Sequence, residues 1–327
     1  MTQTRMVRVM GQERQMDENT TFADLAAEFV QSGKGPILLA RQNNKLRELS
    51  RKVYTTDEIT FYGIENEEGM RVYRRGVLFL MTKAVWDLYG KDALVVVEHS
   101  LQKNLYCEIR KPQIHMTEDV LRQIQSKMEE YVAADLPMKK CILPKEQVHD
   151  IMCRQNMPDK AALFRYRRAS NVNLYEMDGY YNYFYGYMPP STGCLRLFAL
   201  MPYENGFLIR FPDPKDPTKL REFSNPQKIS AVFLEQMRWC QLMGVNNVAE
   251  LNDTITQGQF GNLIRVNEAL HEKKVAEIAD QIQHRRDAVR VVLIAGPSSS
   301  GKTSFANRLC IQLQVLGIRT HKLSLDD

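Results

Sequence analysis

The chain has few cysteines, and those it has are dispersed. Cys107, Cys141, Cys153, Cys194, Cys240 and Cys310 are scattered through 327 residues without one Cys-x-x-Cys pair. A zinc ribbon or a disulfide framework needs closely patterned thiols, so buried, reduced cysteines are expected. Long apolar runs are also missing, and Met1-Thr2-Gln3-Thr4-Arg5 leads into no apolar signal segment. Both absences argue against a membrane partner and make the cytoplasm the expected compartment. No internal repeat or low-complexity segment interrupts the chain. Charge of one sign is scarce too: 44 Lys and Arg against 39 Asp and Glu leave a net charge of +5. That balance permits an anionic partner such as nucleotide or RNA, and it equally describes an ordinary solvated surface.

A composition of 44% hydrophobic and 25% charged residues is that of a globular chain long enough for two or three domains. Residues 6 to 9 and 13 to 16 flank Gly11 as a hairpin. Thr20 or Thr21 caps a helix carrying Phe22, Leu25, Ala26 and Phe29 on one face, with Gly33 and Gly35 at its end. Pro36 to Ala40 and Ile59 to Gly63 read as strands, giving a small mixed sheet under one helix. Glu65-Asn66-Glu67-Glu68-Gly69 is expected to be a linker. A helix from Arg74 to Tyr89 and a strand from Leu94 to Val97 follow. Thr117 then caps a helix whose apolar face holds Val120, Leu121, Ile124, Met128 and Val132. Strand-like runs fill Tyr175 to Phe211, and Pro212-Asp213-Pro214 reads as a loop or a second boundary. Helices are expected over about Ile229 to Met243 and Ile264 to His284.

The densest chemical signal lies near the end. The short apolar run Val291-Val292-Leu293-Ile294-Ala295 reads as a strand buried on both faces. It enters Gly296-Pro297-Ser298-Ser299-Ser300-Gly301-Lys302-Thr303, which fits the phosphate-loop pattern Gly-x-x-x-x-Gly-Lys-Thr, with Ser304 next. Phe305, Leu309, Leu313 and Leu316 then share one helical face up to Gly317. The glycines let backbone N–H groups curl toward phosphate oxygens, and the helix N-terminus adds positive potential. Lys302 is placed to reach β- and γ-phosphates, and the Thr303 hydroxyl to ligate magnesium. The expected cofactors are therefore ATP and Mg2+. Thr320 to Leu325 reads as a second strand leading into Asp326-Asp327. An acid there can orient a hydroxyl and take its proton, or simply close an acidic turn.

Residues 289 to 327 resemble the start of the uridine kinase and phosphoribulokinase family. The matching stretches run from Leu293 to Thr303 and from Leu323 to Asp327. The resemblance implies that Asp326 is the base for the acceptor hydroxyl and Lys302 the catalytic cation. The chain departs from the family by stopping at Asp327, before the acceptor pocket and lid. A truncated and inactive kinase domain is therefore expected.

Residues 6 to about 64 resemble the TGS domain, a β-grasp module of threonyl-tRNA synthetases. Residues 69 to about 200 resemble the editing domain that follows it, on Ile59 to Gly69, Arg74 to Tyr89 and Tyr175 to Gly193. In those synthetases a His-x-x-x-His and a Cys-x-x-x-His form a hydrolytic or metal site. The matching positions here are Phe79, Lys83, Phe184 and Met188, which cannot bind zinc or shuttle protons. No zinc is expected. His99 is the only histidine close to that framework, and it reads as a structural residue. Lys139-Lys140 and Phe164-Arg165-Tyr166-Arg167-Arg168 could meet RNA phosphates and stack bases, or form a solvated basic face.

The expected fold is an α+β front half followed by the beginning of an α/β P-loop domain. Its expected divisions are a TGS-like domain over residues 1–66, an editing-like domain over 67–212, a helical connection over 213–287 and a P-loop start over 288–327. The combination resembles a bacterial fusion, and the resemblance implies a nucleoside kinase that phosphorylates the 5′-hydroxyl of uridine or another pyrimidine nucleoside. The other expectation is an RNA- or tRNA-binding regulatory protein that uses its P-loop as an ATP-driven switch.

Overall fold

A computed structural model describes residues 5–30, 35–54 and 58–324. The chain divides into two compact units, one ending at Ala249 and the other beginning at Glu250. Gly33 and Asp326 fall outside the described residues, as does the end of the expected second strand.

The first unit opens with a mixed five-stranded sheet. Strands β1 (Arg5–Val9) and β2 (Gln12–Met16) form the expected hairpin, and α1 (Phe22–Ala27) crosses the sheet. Thr21 caps α1 by accepting from the Asp24 amide while the Asp24 carboxylate accepts from the Thr21 amide. That reciprocal pair satisfies two of the helix's orphan donors. Strands β3 (Ile37–Gln42), β4 (Lys45–Glu48) and β5 (Ile59–Gly63) complete the order β2-β1-β5-β3-β4, with β1 and β5 parallel. Val7, Val9, Phe22, Leu25, Ile59 and Phe61 form its core.

The expected linker at Glu65 to Gly69 is corrected by helix α2 (Glu67–Tyr89), which starts seven residues before Arg74. Asn66 accepts from the Glu68 amide, and Glu67 and Glu68 favour the positive end of the helix. At Gly69 a Cβ would stand 1.9 Å from the Gly63 carbonyl oxygen, so only glycine lets α2 lie against β5 here. Leu38, Leu39 and Ile64 join Val72, Val77, Leu80 and Met81 of α2 in one core. The sheet and the helix are therefore packed together, not joined by a free tether.

Two further sheets flank α2. Strands β6 (Leu94–Leu101) and β7 (Asn104–Arg110) precede α3 (Glu118–Ala134), which is capped by Thr117. Next come β8 (Lys139–Pro144), α4 (Lys145–Arg154), α5 (Pro158–Arg165), β9 (Asn171–Met177) and β10 (Tyr180–Asn182). Strands β11 (Ala199–Tyr203) and β12 (Gly206–Arg210) close an antiparallel sheet of order β11-β12-β7-β6, beside a second of order β10-β9-β8. The loop expected at Pro212-Asp213-Pro214 is instead a small hairpin, β13 (Pro212–Asp213) and β14 (Asp216–Leu220). Helix α6 (Gln227–Met243) packs Phe233, Leu234 and Met237 over Leu101, Tyr106, Tyr203 and Leu208.

Helix α7 (Val248–Thr256) spans the boundary between the units. In the second unit, α8 (Phe260–His284) carries Val275 and Ala279 against Leu309 and Leu313 of α9 (Lys302–Val315). The expected α/β sheet is not formed among the described residues. Residues 291 to 297 and 318 to 324 have no strand pairing. Val291 is 73% exposed, Leu293 87% and Leu323 88%. A strand exists only by pairing its backbone with a neighbour, and no described segment pairs as a strand with either run.

Candidate functional site

Helix α2 and the β9–β10 region build the framework expected to hold an editing site. Phe79 is fully buried, with its ring 5.3 Å from Phe184 in an edge-on contact and 5.9 Å from Tyr180. Met188 is buried as well. Phe79, Phe184 and Met188 fill space with apolar surface and offer no imidazole or thiolate for zinc or proton transfer.

Lys83, one turn beyond Phe79, is only 2% exposed. Its ammonium lies 2.9 Å from Asp87 and 3.2 Å from Asp178, and donates to the Asp178 carbonyl at 3.3 Å. Tyr131 and Trp86 bring ring faces to 5.3 and 5.9 Å from it. A buried cation needs this enclosure, since an unpaired one would be strongly destabilising. The Tyr131 hydroxyl donates to the same Asp87 carboxylate, and burial together with that carboxylate pushes its pKa up. Lys83 is thus a structural cation fixed in its own cage, with no room for a substrate on its ammonium.

Beside it, Thr82, Trp86, Gln155, Lys160, Tyr180 and Asn182 line a cleft of about 30 Å³. That is space for one or two waters. The Lys160 ammonium donates to Asn182 Oδ1, and burial lowers its pKa to about 8 against the opposing pull of Asp159. Among the described residues, no three His, Cys, Asp or Glu side chains are grouped as a metal site. His99 lies away from this framework, stacked 4.6 Å from Phe233 and 5.0 Å from Tyr106, and burial lowers its pKa.

The basic segments divide. Phe164 is buried, so it cannot stack a base. Lys140 pairs with Glu48 at 3.3 Å and covers the Tyr175 ring, so its charge is used internally. Arg167 lies over the Tyr183 ring at 5.5 Å and donates to the Tyr183 hydroxyl at 2.7 Å. Arg75 donates to the Tyr187 carbonyl at 3.1 Å. Between these two anchored arginines the loop presents Tyr185, 87% exposed. The run Tyr180-Tyr181-Asn182-Tyr183-Phe184-Tyr185-Gly186-Tyr187 carries a signal for that ring, because so many tyrosines in one short loop cannot all enter the core.

Residues 296 to 303 curl into a compact loop. Ser299 and Gly301 have φ of 59° and 80°, and Gly301 caps α9. A Cβ at Gly296 would meet Ser300 Oγ at 2.7 Å. The Lys302 ammonium folds over the loop, donating to the carbonyls of Gly296 and Pro297 at 2.9 Å each. Thr303 and Ser304 occupy the first turn of α9. Pro297, Ser298 and Ser300 complete the turn. The loop's glycines and lysine suit a nucleotide phosphate, although the lysine now spends its donors on the loop itself. Asp326 lies outside the described residues.

The chain is similar to threonine–tRNA ligases. It is 26% identical over 198 residues to that of Carboxydothermus hydrogenoformans, covering 58% of this chain and 30% of the relative. Identity is 24% over 190 residues to the ligase of Syntrophotalea carbinolica, covering 58% and 30%. It is 23% over 193 residues to that of Thermotoga maritima, covering 58% and 29%. The chain thus spans about 30% of the length of the curated relatives it matches. No protein-family model matches it. The similarity is to the N-terminal, TGS and editing-like region of those ligases.

These relatives correct the expected activity. They are tRNA ligases, not uridine kinases or phosphoribulokinases, so a nucleoside kinase with a nucleoside acceptor is overturned. The unpaired runs at 291–295 and 320–324 agree with that correction, since they supply no sheet to hold an acceptor site. No described helix is long and apolar enough to cross a membrane.

Proposed function

We propose that this chain is an RNA-binding module, with tRNA the class of RNA it meets, and that it carries no editing chemistry. The observation that carries this reading is the similarity to threonine–tRNA ligases over 58% of the chain. The four positions expected to hold the hydrolytic site are Phe79, Lys83, Phe184 and Met188, and a packed core with a caged cation leaves binding as the remaining use of the surface. Tyr185 supplies an exposed ring for a base, while Arg75 and Arg167 on either side of the loop supply charge for phosphates.

The loop from Gly296 to Thr303, with Ser304, is the proposed place for the phosphates of ATP. There Lys302 would neutralise phosphate charge, and the Thr303 hydroxyl would hold Mg2+, which screens the same charge when bound. Nucleotide occupancy would then bias RNA affinity as a switch.

Filter binding of tRNA at several salt concentrations tests the reading. Sub-micromolar binding at about 50 mM salt is expected, with log affinity falling by about 0.9 per phosphate contact for each tenfold rise in salt. Tyr185→Ala should weaken binding by 1–3 kcal/mol, roughly 5- to 150-fold, if one base stacks there. No saturable binding at tens of micromolar chain would overturn the proposal. RNA affinity unchanged by Mg-ATP would remove the switch alone.

A further inference from the structure

Three arginines come from the first half of α2, the end of β12 and the residue after β14. The Arg74 guanidinium lies over the Phe211 ring at 4.9 Å. Burial, and next the charge of Arg221, lower its pKa to about 10. Arg210 donates from Nη2 to the Arg221 carbonyl at 2.7 Å, and the Arg221 amide donates to the Phe211 carbonyl at 3.1 Å. The Arg210 side chain and the Arg221 backbone are thus hydrogen-bonded to each other, and both Arg221 and Arg74 contact Phe211.

None of the three has a carboxylate partner among the described residues. Arg74 Nη2 and Arg210 Nε are buried without any hydrogen-bond acceptor. Half-buried guanidinium groups normally sit beside acids, since burying a cation unpaired is costly. Arg74 and Arg221 repel each other, and the cost falls if an anion enters. Guanidinium forks recognise tetrahedral oxyanions through paired N–H groups, and a dianion compensates more of this charge than a carboxylate does.

We propose that Arg74, Arg210 and Arg221 form an anion site for a phosphoryl dianion, either free phosphate or the terminal phosphate of a nucleotide or oligonucleotide. Its residues are not those proposed for the base or for ATP, and it does not depend on the RNA-binding reading. Arg74 stacks on Phe211 and keeps its ring contact with or without ligand. Arg221 is the freest of the three to change, because only its backbone makes hydrogen bonds.

The test is thermal unfolding of the full chain with inorganic phosphate against chloride at matched ionic strength. Phosphate should raise Tm progressively with concentration, as expected for a ligand bound only by the folded state. Arg221→Glu supplies an internal carboxylate, so it should melt no lower than the parent without phosphate and lose at least tenfold in phosphate affinity. Arg221→Gln keeps the length without the charge and should weaken phosphate in the same direction. A structural arginine would behave oppositely, with stability lost in both variants and phosphate affinity unchanged. Competition by a 5′-phosphorylated but not a 5′-hydroxyl oligonucleotide would identify a nucleic-acid end as the source, whereas no competition would identify the free anion. Phosphate no better than chloride, or both variants binding it as the parent does, would overturn the proposal.

Discussion

The Tyr175 hydroxyl donates to the carboxylate of Glu48, joining β9 to β4 across 127 positions of sequence. Glu48 is 4% exposed and also accepts from the Met188 amide at 3.2 Å, with Lys140 at 3.3 Å supplying the counter-charge. One acidic side chain from the five-stranded sheet therefore fixes the loop that ends in Met188. Glu48→Ala leaves the Tyr175 hydroxyl and the Met188 amide without that acceptor. It should lower stability by about 3 kcal/mol, as removing one partner of a buried charge pair does. Glu48→Ala with Tyr175→Phe should cost less than the two separate losses added together. Urea unfolding measures both. A loss below about 0.5 kcal/mol, the range of ordinary surface substitutions, would show that the contact is not structural.

Much of this architecture was legible because its causes are local. Thr21 and Thr117 cap helices through side chains three residues from the amides they bind, so spacing places Thr117 and narrows the other cap to Thr20 or Thr21. The Phe79 and Lys83 positions are also readable, and both side chains are buried. What Lys83 does is not readable, because Asp178 lies 95 positions away and becomes its partner only through folding. Strand β8 reads in sequence as a basic stretch at Lys139-Lys140. It sits at a sheet edge with one neighbour, and its Lys139 and Ile142 side chains are exposed, so burial imposed no clear alternation on it. The run 291–295 fails in the opposite direction. Its apolar residues fit a strand, but a strand is a relation between two segments and no described partner is present.

Lys83 itself carries the second prediction. Lys83→Ala removes the cation shared by Asp87 and Asp178 and opens a void beneath Tyr131 and Trp86. About 3 kcal/mol of stability should be lost, mostly because Asp87 keeps its charge in a half-buried place. Lys83→Met should be milder, since its unbranched stem retains the packing. Equal unfolding midpoints for the parent and Lys83→Ala would refute the cage. The parent chain should also hold no stoichiometric zinc by elemental analysis and should not hydrolyse mischarged tRNA.

Lys160 makes stability depend on pH in a particular direction. Its folded pKa of about 8 lies below the ordinary lysine value of 10.5. Between those values the unfolded chain binds more protons than the folded one, so raising pH from about 8 to 10.5 favours folding. Other groups titrate in that window, so the informative quantity is the parent compared with Lys160→Met. The parent should gain on the variant as pH rises through the window, and the difference should be flat below pH 7. A parallel pH course for both proteins would mean that Lys160 titrates as an exposed lysine.

The last prediction concerns how strongly the loop at 296–303 takes ATP. No backbone hydrogen bond holds residues 291–295 among those described, and Val291 and Leu293 are exposed. A phosphate loop works by holding its amides still, and here the ligand must itself fix the segment leading into them. At roughly 1–2 kcal/mol for each residue ordered, five residues offset much of what phosphate contacts supply. Lys302 must also leave the carbonyls of Gly296 and Pro297 before it meets a phosphate. This chain should therefore bind Mg-ATP only weakly, with dissociation in the millimolar range, and Lys302→Ala should abolish even that. Hydrogen exchange with and without 1 mM Mg-ATP is the measurement. Slight protection of residues 296 to 303 that disappears in Lys302→Ala is the expected result. Strong protection at micromolar nucleotide would show that the loop is held by something other than a sheet, and protection unaffected by Lys302→Ala would place the nucleotide elsewhere.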